Sequence, residues 1–341
     1  MINIGLVGHG YWGPNLLRNF YECPLSRVVR VCDLSEENLK TVSRRYPTIG
    51  TTINYGDLLN DKEIDAIVIA TPISTHYPLA LEALQYGKHV FVEKPLAASV
   101  SQSEHLITEA SKRGLLLHVD HTFPYTPAVR KIRELVRDGV LGEMYYYDSV
   151  RINLGLFQKD VNVLWDLAVH DLSIMDYVLE ARPVAVSATG MSHLENHPEN
   201  TAYMTLYFAD KLIAHIHVNW LAPVKIRQTL FSGSRKMLVY NDLEPSEKIR
   251  VFDSGILTSG ASENVREMLV SYRSGDIWSP HLKKTEALRA QVLHFCESVE
   301  AGSPTDTDGQ SGLRVVRSLE AAQLSIRSRG RPVDVQTLAL L

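Results

Sequence analysis

The first 120 residues alternate short apolar, β-branched runs with longer segments whose apolar positions recur at helical spacing. That alternation is the signature of βαβ units feeding a parallel sheet. It predicts strands at Ile2 to Val7, Arg27 to Cys32, Ala66 to Ala70, His89 to Val92 and Leu115 to Val119. Helices fall between them at Asn15 to Phe20, Ser35 to Arg45, Pro78 to Tyr86 and Val100 to Arg113, with Gly87 and Gly114 as stops. Past His121 the texture changes. Pro124 and Pro127 interrupt the chain before a helix over Ala128 to Arg137, which ends at Asp138 and Gly139. A further helix around Trp165 to Leu179 sits among strand-like stretches at Met144 to Ile152, Val184 to Thr189, Ala202 to Phe208, Leu212 to Trp220, Ile226 to Ser232 and Lys236 to Tyr240. Runs of strands between turns predict an open, mostly antiparallel sheet with one helix-covered face. Asp253 to Asn264, rich in Gly and Ser, reads as a long loop. Two closing helices follow at about Thr285 to Glu300 and Gly312 to Arg327. The expected architecture is a doubly wound α/β domain over residues 1–121 and an α+β domain over 122–341, whose last helices pack back on the first.

Bulk properties narrow the partners. A chain of 341 residues is comfortable for two domains, and 45% hydrophobic with 22% charged residues is an ordinary globular composition. With 35 Lys+Arg against 39 Asp+Glu, no basic field exists to draw nucleic acid or an anionic membrane. Cys23, Cys32 and Cys296 are too few and too far apart for a disulfide framework or a CxxC metal or redox motif, so no metal site is expected and the cytoplasm is the expected compartment. The N-terminal residues read as a strand rather than a signal peptide, and no apolar run reaches the ~18 residues of a membrane span.

Chemistry enters with Gly8-His9-Gly10-Tyr11-Trp12-Gly13, a GxGxxG that follows a predicted strand and opens a predicted helix. The first glycine permits the turn, the second lets backbone approach a pyrophosphate, and the third lets helix pack on strand. The helix N-terminus supplies amide donors. Tyr11 and Trp12 lie in the same loop and count as cofactor contacts. Asp33 stands about 20 residues past the last glycine, where a carboxylate binds the adenosine ribose hydroxyls. That favours NAD over NADP, whose 2′-phosphate it would repel unless Arg44 or Arg45 folded in; the alternative for Asp33 is a helix-start acid beside Ser35 and Glu36. Ala70-Thr71-Pro72 and Val92-Glu93-Lys94-Pro95 follow strand ends, where open parallel sheets bind ligands. Thr71, Pro72, Glu93 and Lys94 are therefore assigned to the cofactor cleft together with His76; the alternative is that the prolines only end strands.

Asp166 and His170 lie four apart in a predicted helix, so they share a face. A carboxylate that fixes one imidazole nitrogen leaves the other free to take a proton from an alcohol. An ordinary polar pair would look the same. Tyr125, Asn153 and Trp165 join His170 as candidate substrate contacts, with packing as the alternative for each.

With these motifs in order, the sequence resembles the glucose-fructose oxidoreductase, inositol dehydrogenase and rhizopine catabolism family, Gfo/Idh/MocA. The resemblance rests on the glycine fingerprint, Ala70 to Pro72, the EKP of Glu93 to Pro95 and the DxxxH of Asp166 to His170. It implies a Rossmann domain followed by an α+β substrate domain whose sheet forms a homodimer or homotetramer interface. It also implies a catalytic group of Lys94, Asp166 and His170, and hydride transfer between NAD(P) and a secondary hydroxyl or ketone of a sugar or nucleotide sugar. Either His170 or Lys94 takes the proton on this reading. Val161 to Trp165 replace a glycine-rich run of many relatives, and Ser173 stands where many have a second aspartate. Asn153-Leu154-Gly155 and His121-Thr122-Phe123 are similar to nucleotide-sugar and polysaccharide biosynthesis members. The alternatives are an inositol or free-sugar dehydrogenase, a redox-neutral NAD-using glycosidase or epimerase, and a non-catalytic NAD-binding regulator; the last predicts loss of catalytic residues, and all three are present.

Overall fold

The computed structural model describes residues 1–155, 161–258 and 270–336. Among the described residues the chain divides into two compact units, Met1–Thr126 with Thr285–Arg317, and Pro127–Lys284 with residues 318–336.

In the first unit six strands, β1 (Ile2–Val7), β2 (Ser26–Cys32), β3 (Gly50–Thr52), β4 (Ala66–Ile69), β5 (His89–Glu93) and β6 (Leu117–Asp120), form a parallel sheet in the order β3-β2-β1-β4-β5-β6. The order reverses between β1 and β4, and a doubly wound sheet opens its ligand crevice at that switch. Helices α1 (Gly13–Glu22), α2 (Glu36–Arg45), α3 (Gly56–Leu59), α4 (Ile73–Gln85) and α5 (Val100–Arg113) connect the strands. Helix α5 shows why the sequence is legible here: Ser99 accepts the Gln102 amide at its start, and Gly114, at φ +64°, closes its end in the left-handed region. The later helix Ala287–Ala301 belongs to this unit too. Its Phe295 meets Phe20 of α1 and Phe91 of β5 edge-on, at centroid distances of 6.1 and 5.4 Å.

Two features differ from the sequence expectation. β3 and α3 are too short to leave a periodic signal. Helix α4 starts at Ile73, not Pro78, because the proline sits inside the helix, which forgoes a single backbone hydrogen bond there.

The second unit carries α6 (Pro127–Arg137), β7 (Met144–Leu154), a π-helical turn over Leu164–Ala168, α7 (Val169–Val178) and strands β8 (Pro183–Met191), β9 (Thr201–Phe208), β10 (Ile213–Asn219), β11 (Leu221–Gly233), β12 (Met237–Asn241), β13 (Ile249–Thr258), β14 (Val270–Trp278) and β15 (Val333–Asp334). They build a sheet in the order β14-β13-β12-β11-β7-β10-β9-β8-β15, parallel at β7–β10 and antiparallel elsewhere. Alternation sorts its faces. Met204, Leu206, Ala214 and Ile216 are buried on one, whereas Tyr146, Tyr203, Tyr207 and Ile213 are exposed on the other. The loop expected over Asp253 to Asn264 is corrected through Thr258: these residues are β13, paired with β14. Across from it on β14, a side chain at Gly275 would meet the Asp253 carbonyl at 3.0 Å, beside a register shift, so glycine fits the close approach of the two strands. Residues 259–264 lie outside the described residues.

Candidate functional site

At the end of β1 the chain must turn within the sheet edge. Gly8 does so at φ +90°, with its amide on the Cys32 carbonyl at 2.9 Å, and a Cβ there would lie 2.4 Å from the Ala70 carbonyl. A Cβ on Gly13, the first residue of α1, would lie 2.2 Å from the Gly8 carbonyl. Gly10 differs from both, since a Cβ there would meet no atom of the described residues within 4 Å. Two glycines are thus required by the protein's own packing, and the third leaves an open cradle in front of a helix whose start has no side-chain cap. This arrangement fits a dinucleotide pyrophosphate, which the main chain of the glycine loop in front of α1 would approach.

Asp33, at the end of β2, is half-buried. Its Oδ2 accepts the His9 amide at 2.6 Å, while Oδ1 accepts the Ser35 amide at 2.7 Å and the Asn38 side chain at 3.2 Å. The carboxylate therefore joins the glycine loop to the start of α2 and braces that helix start. Arg44 turns its Nε to the Lys40 carbonyl at 3.3 Å, and Arg45 stacks over Tyr46 at 5.5 Å.

The loops after β4 and β5 are tied together by His76. Its Nε2 contacts the Thr71 carbonyl and its Nδ1 the Pro95 carbonyl, each at 2.8 Å. Burial, with the Lys94 charge adding to it, holds the His76 pKa below its ordinary value, so the neutral ring donates to one carbonyl only. His76 is 1% exposed with both nitrogens turned to backbone, and it braces the loops that carry Thr71 and Lys94. Thr71 also receives the Thr75 hydroxyl at 2.7 Å, Pro72 immediately precedes α4, and the Lys94–Pro95 peptide is cis.

Tyr11 is exposed, whereas Trp12 donates its indole N–H to Asp120 Oδ2 at 3.0 Å. Glu93 pairs with Asp120 in the β5–β6 register. Its Oε2 accepts the Lys94 amide at 3.2 Å, and its Oε1 is buried without a donor among the described residues. Burial first, and then the Asp120 carboxylate, push Glu93 well above the usual carboxylate range, with Lys94 opposing.

In the second unit, Asn162 caps the π turn, its side-chain oxygen accepting the Leu164 and Trp165 amides at 3.1 and 3.3 Å. Asp166 lies in this turn, not on a continuous α-helix, so the four-residue spacing rule does not apply to it. Single π turns of this kind concentrate at functional sites. Asp166 Oδ2 accepts the Trp220 indole N–H at 3.2 Å. Gly155 makes room for that indole, since a Cβ there would lie 2.8 Å from the Trp220 ring. His170 is the second residue of α7, half-buried, with its carbonyl taking the Ser173 hydroxyl at 2.7 Å. The next residue, Asp171, is locked beneath the sheet by Arg151 at 2.8 and 3.0 Å and by Ser149 at 2.8 Å, while Tyr147 donates to its carbonyl at 2.9 Å.

Tyr125 is 1% exposed and turns its hydroxyl to His294 Nδ1 at 3.1 Å inside the first unit; Trp165 is buried as part of the π turn. Asn153 is half-buried on β7. The sequence reading missed Asp120, Arg151 and Trp220. Only Arg151 left a signal, a charge at an inward position of a strand after Tyr147 and Ser149. No helix among the described residues is long and apolar enough to cross a membrane, and no cluster of metal-ligating side chains occurs among them.

A glycine cradle at the switch of a doubly wound sheet, with a carboxylate beyond it, defines a dinucleotide-binding oxidoreductase. Comparison with known proteins gives the family. Residues 2–121 match the oxidoreductase family with an NAD-binding Rossmann fold, and residues 129–239 match the GFO/IDH/MocA C-terminal domain. The chain belongs to the Gfo/Idh/MocA oxidoreductases, and NAD is its cofactor. The uncharacterized oxidoreductase YrbE of Bacillus subtilis is 26% identical over 97% of this chain and 96% of its own. UDP-N-acetylglucosamine 3-dehydrogenase of Acidithiobacillus ferrooxidans is 26% identical over 95% of each chain. A solved structure of that dehydrogenase has the same fold, with a TM-score of 0.78 and 23% identity over 96% of this chain and 98% of that one.

Proposed function

We propose that this protein is a dehydrogenase or reductase that interconverts a secondary hydroxyl and a ketone on a sugar or nucleotide sugar, using NAD in preference to NADP. The carrying observation is the open cradle at Gly10 with the Asp33 carboxylate braced beyond it. Asp33 meets the ribose hydroxyls and repels a 2′-phosphate. Arg44 and Arg45, engaged with Lys40 and Tyr46, are turned to other work. Gly8, Gly10 and Gly13 hold the pyrophosphate side, with Tyr11, Thr71 and Pro72 along the same cleft.

Bound there, the dinucleotide supplies a two-electron acceptor for the carbon that bears the hydroxyl. The chain's own residues handle the proton and the developing charge. His170, oriented by Asp166, removes the hydroxyl proton, and Lys94 donates a hydrogen bond to the same oxygen and stabilises it as it becomes negative. Trp220 fixes the Asp166 carboxylate that this role requires. The similarity to a UDP-N-acetylglucosamine 3-dehydrogenase along nearly the whole chain supports the nucleotide-sugar choice, and Asn153 is the polar side chain assigned to it.

The exposed face bearing Tyr146, Tyr203, Tyr207 and Ile213 is assigned to self-association as a homodimer or homotetramer. The three buried free thiols suit a reducing cytoplasm. The test is a panel of nucleotide sugars, free aldoses and cyclitols with NAD, read by reduced-dinucleotide absorbance. Turnover confined to nucleotide sugars supports the reading, and turnover confined to cyclitols overturns its substrate class. Light scattering on the same preparation reads the oligomer.

A further inference from the structure

The carboxyl ends of β5 and β6 bring two acids into register, Glu93 opposite Asp120. Asp120 is 2% exposed and both its oxygens are used, Oδ2 by the Trp12 indole at 3.0 Å and Oδ1 by the Thr122 hydroxyl at 3.0 Å. Glu93 holds the Lys94 amide with one oxygen and has the other buried with no donor among the described residues. Two facing carboxylates cannot both stay ionised out of water, and the remedy that needs no further partner is a proton between them. We propose that Glu93 and Asp120 share one proton as an acid pair that positions the two cofactor loops, the glycine loop through Trp12 and the Lys94 loop through its main-chain amide. The proposal rests on the dinucleotide reading given above, and it makes Asp120 a positioning residue with no contact to the reacting atoms.

The electrostatics agree. The charged groups acting on Glu93 are Asp120, from the neighbouring strand, and Lys94, at the end of its own; burial and Asp120 favour the protonated acid and outweigh the lysine. The shared proton lets Asp120 keep a full set of partners. It is therefore able to hold Trp12, which lies between the open position at Gly10 and the start of α1 at Gly13. Loss of that proton at alkaline pH turns the pair repulsive and loosens both loops at once.

The test uses the full-length protein and NAD as the probe, with affinity measured calorimetrically from neutral to alkaline pH. Asp120→Ala and Trp12→Phe each remove one end of the same charged hydrogen bond, so each weakens NAD by about tenfold. The double variant adds nothing further, because the two changes break one interaction. Glu93→Ala weakens NAD similarly, whereas Glu93→Gln, whose amide donates to Asp120 as the proton does, restores most of the affinity and abolishes the alkaline loss. Additive effects of Asp120→Ala and Trp12→Phe, or no rescue by Glu93→Gln, overturn the proposal. If the wild type binds no NAD, the dinucleotide reading falls instead. The pair is then judged from the Trp12 indole N–H resonance of the free protein, assigned through Trp12→Phe. It must move in one step on the alkaline side of the usual carboxylate range and lose that step in Glu93→Gln; a resonance indifferent to both overturns the proposal.

Discussion

Arg151 grips Asp171 with two parallel hydrogen bonds, Nε to Oδ2 at 2.8 Å and Nη2 to Oδ1 at 3.0 Å, and both side chains are almost wholly buried. The pair lies one residue beyond His170, so it fixes the first turn of α7 against β7. Removing one partner leaves the other charge buried without its counter-ion, at a cost of about 3–5 kcal/mol. Asp171→Ala is expected to lower the urea midpoint by a corresponding amount, whereas the paired apolar replacement Arg151→Met with Asp171→Leu recovers most of the stability. If the single variant were as stable as wild type, the pair would not anchor the helix.

The glycine loop separates binding from folding. Alanine at Gly13 forces a Cβ to 2.2 Å from the Gly8 carbonyl, so Gly13→Ala is expected to lower the melting temperature and abolish NAD binding together. Alanine at Gly10 meets no atom of the described residues within 4 Å. Gly10→Ala should therefore melt within a degree or two of wild type while its NAD affinity falls at least about tenfold, because the methyl occupies the space where backbone must approach a pyrophosphate. Calorimetric titration beside a melting curve checks both, and wild-type affinity in Gly10→Ala would remove the cradle from the cofactor site.

How far the sequence foretold this molecule depends on the range over which each feature is encoded. Helix α5 was legible to the residue because Ser99, its apolar spacing and Gly114 lie within one segment. The glycine cradle was legible for the same reason. Asp120 was not, because what makes it matter is Trp12, 108 residues earlier, and Glu93, which meets it only through strand register. Trp220 reaches Asp166 across 54 residues and was equally silent. Local signals also misled where packing overrode them: Pro78 lies inside α4, and the glycines and serines around Asp253 sit in paired strands. The π turn is a further case, since the spacing of Asp166 and His170 reads as an α-helix until the hydrogen-bond ladder is seen.

Lys94 is assigned to the reacting oxygen, so its removal should act on turnover more than on the cofactor. Lys94→Ala is expected to lower kcat about 10²- to 10³-fold while NAD affinity changes only a few-fold. Adding NAD far below the substrate concentration tests the reaction type in the same assay. A net dehydrogenase stops when the NAD is consumed, and full conversion of substrate would indicate instead a redox-neutral use of the cofactor.

Acid should destabilise the first unit through His118. Its Nδ1 lies 2.8 Å from the Thr305 hydroxyl, and its Nε2 accepts the Gln291 amide at 2.9 Å, an orientation supported by the same amide's reach to the Val119 carbonyl at 3.4 Å. The ring is therefore held neutral, with Nδ1 as its donor. A second proton on Nε2 would face an N–H donor in a fully buried site. Burial first, and then the neighbouring His294 and His121, keep the His118 pKa well below its ordinary 6.5. The folded form thus binds fewer protons than the unfolded chain once the pH falls below that ordinary value. Stability contributed by neutral His118 is complete above about pH 6.5 and is lost progressively as the pH falls toward the folded value, at up to about 1.4 kcal/mol per pH unit. Urea unfolding followed from neutral pH downward should show this loss, and His118→Gln, which cannot take the proton, should have a lower neutral stability but a shallower slope. An unchanged slope in His118→Gln would assign the acid sensitivity to other groups.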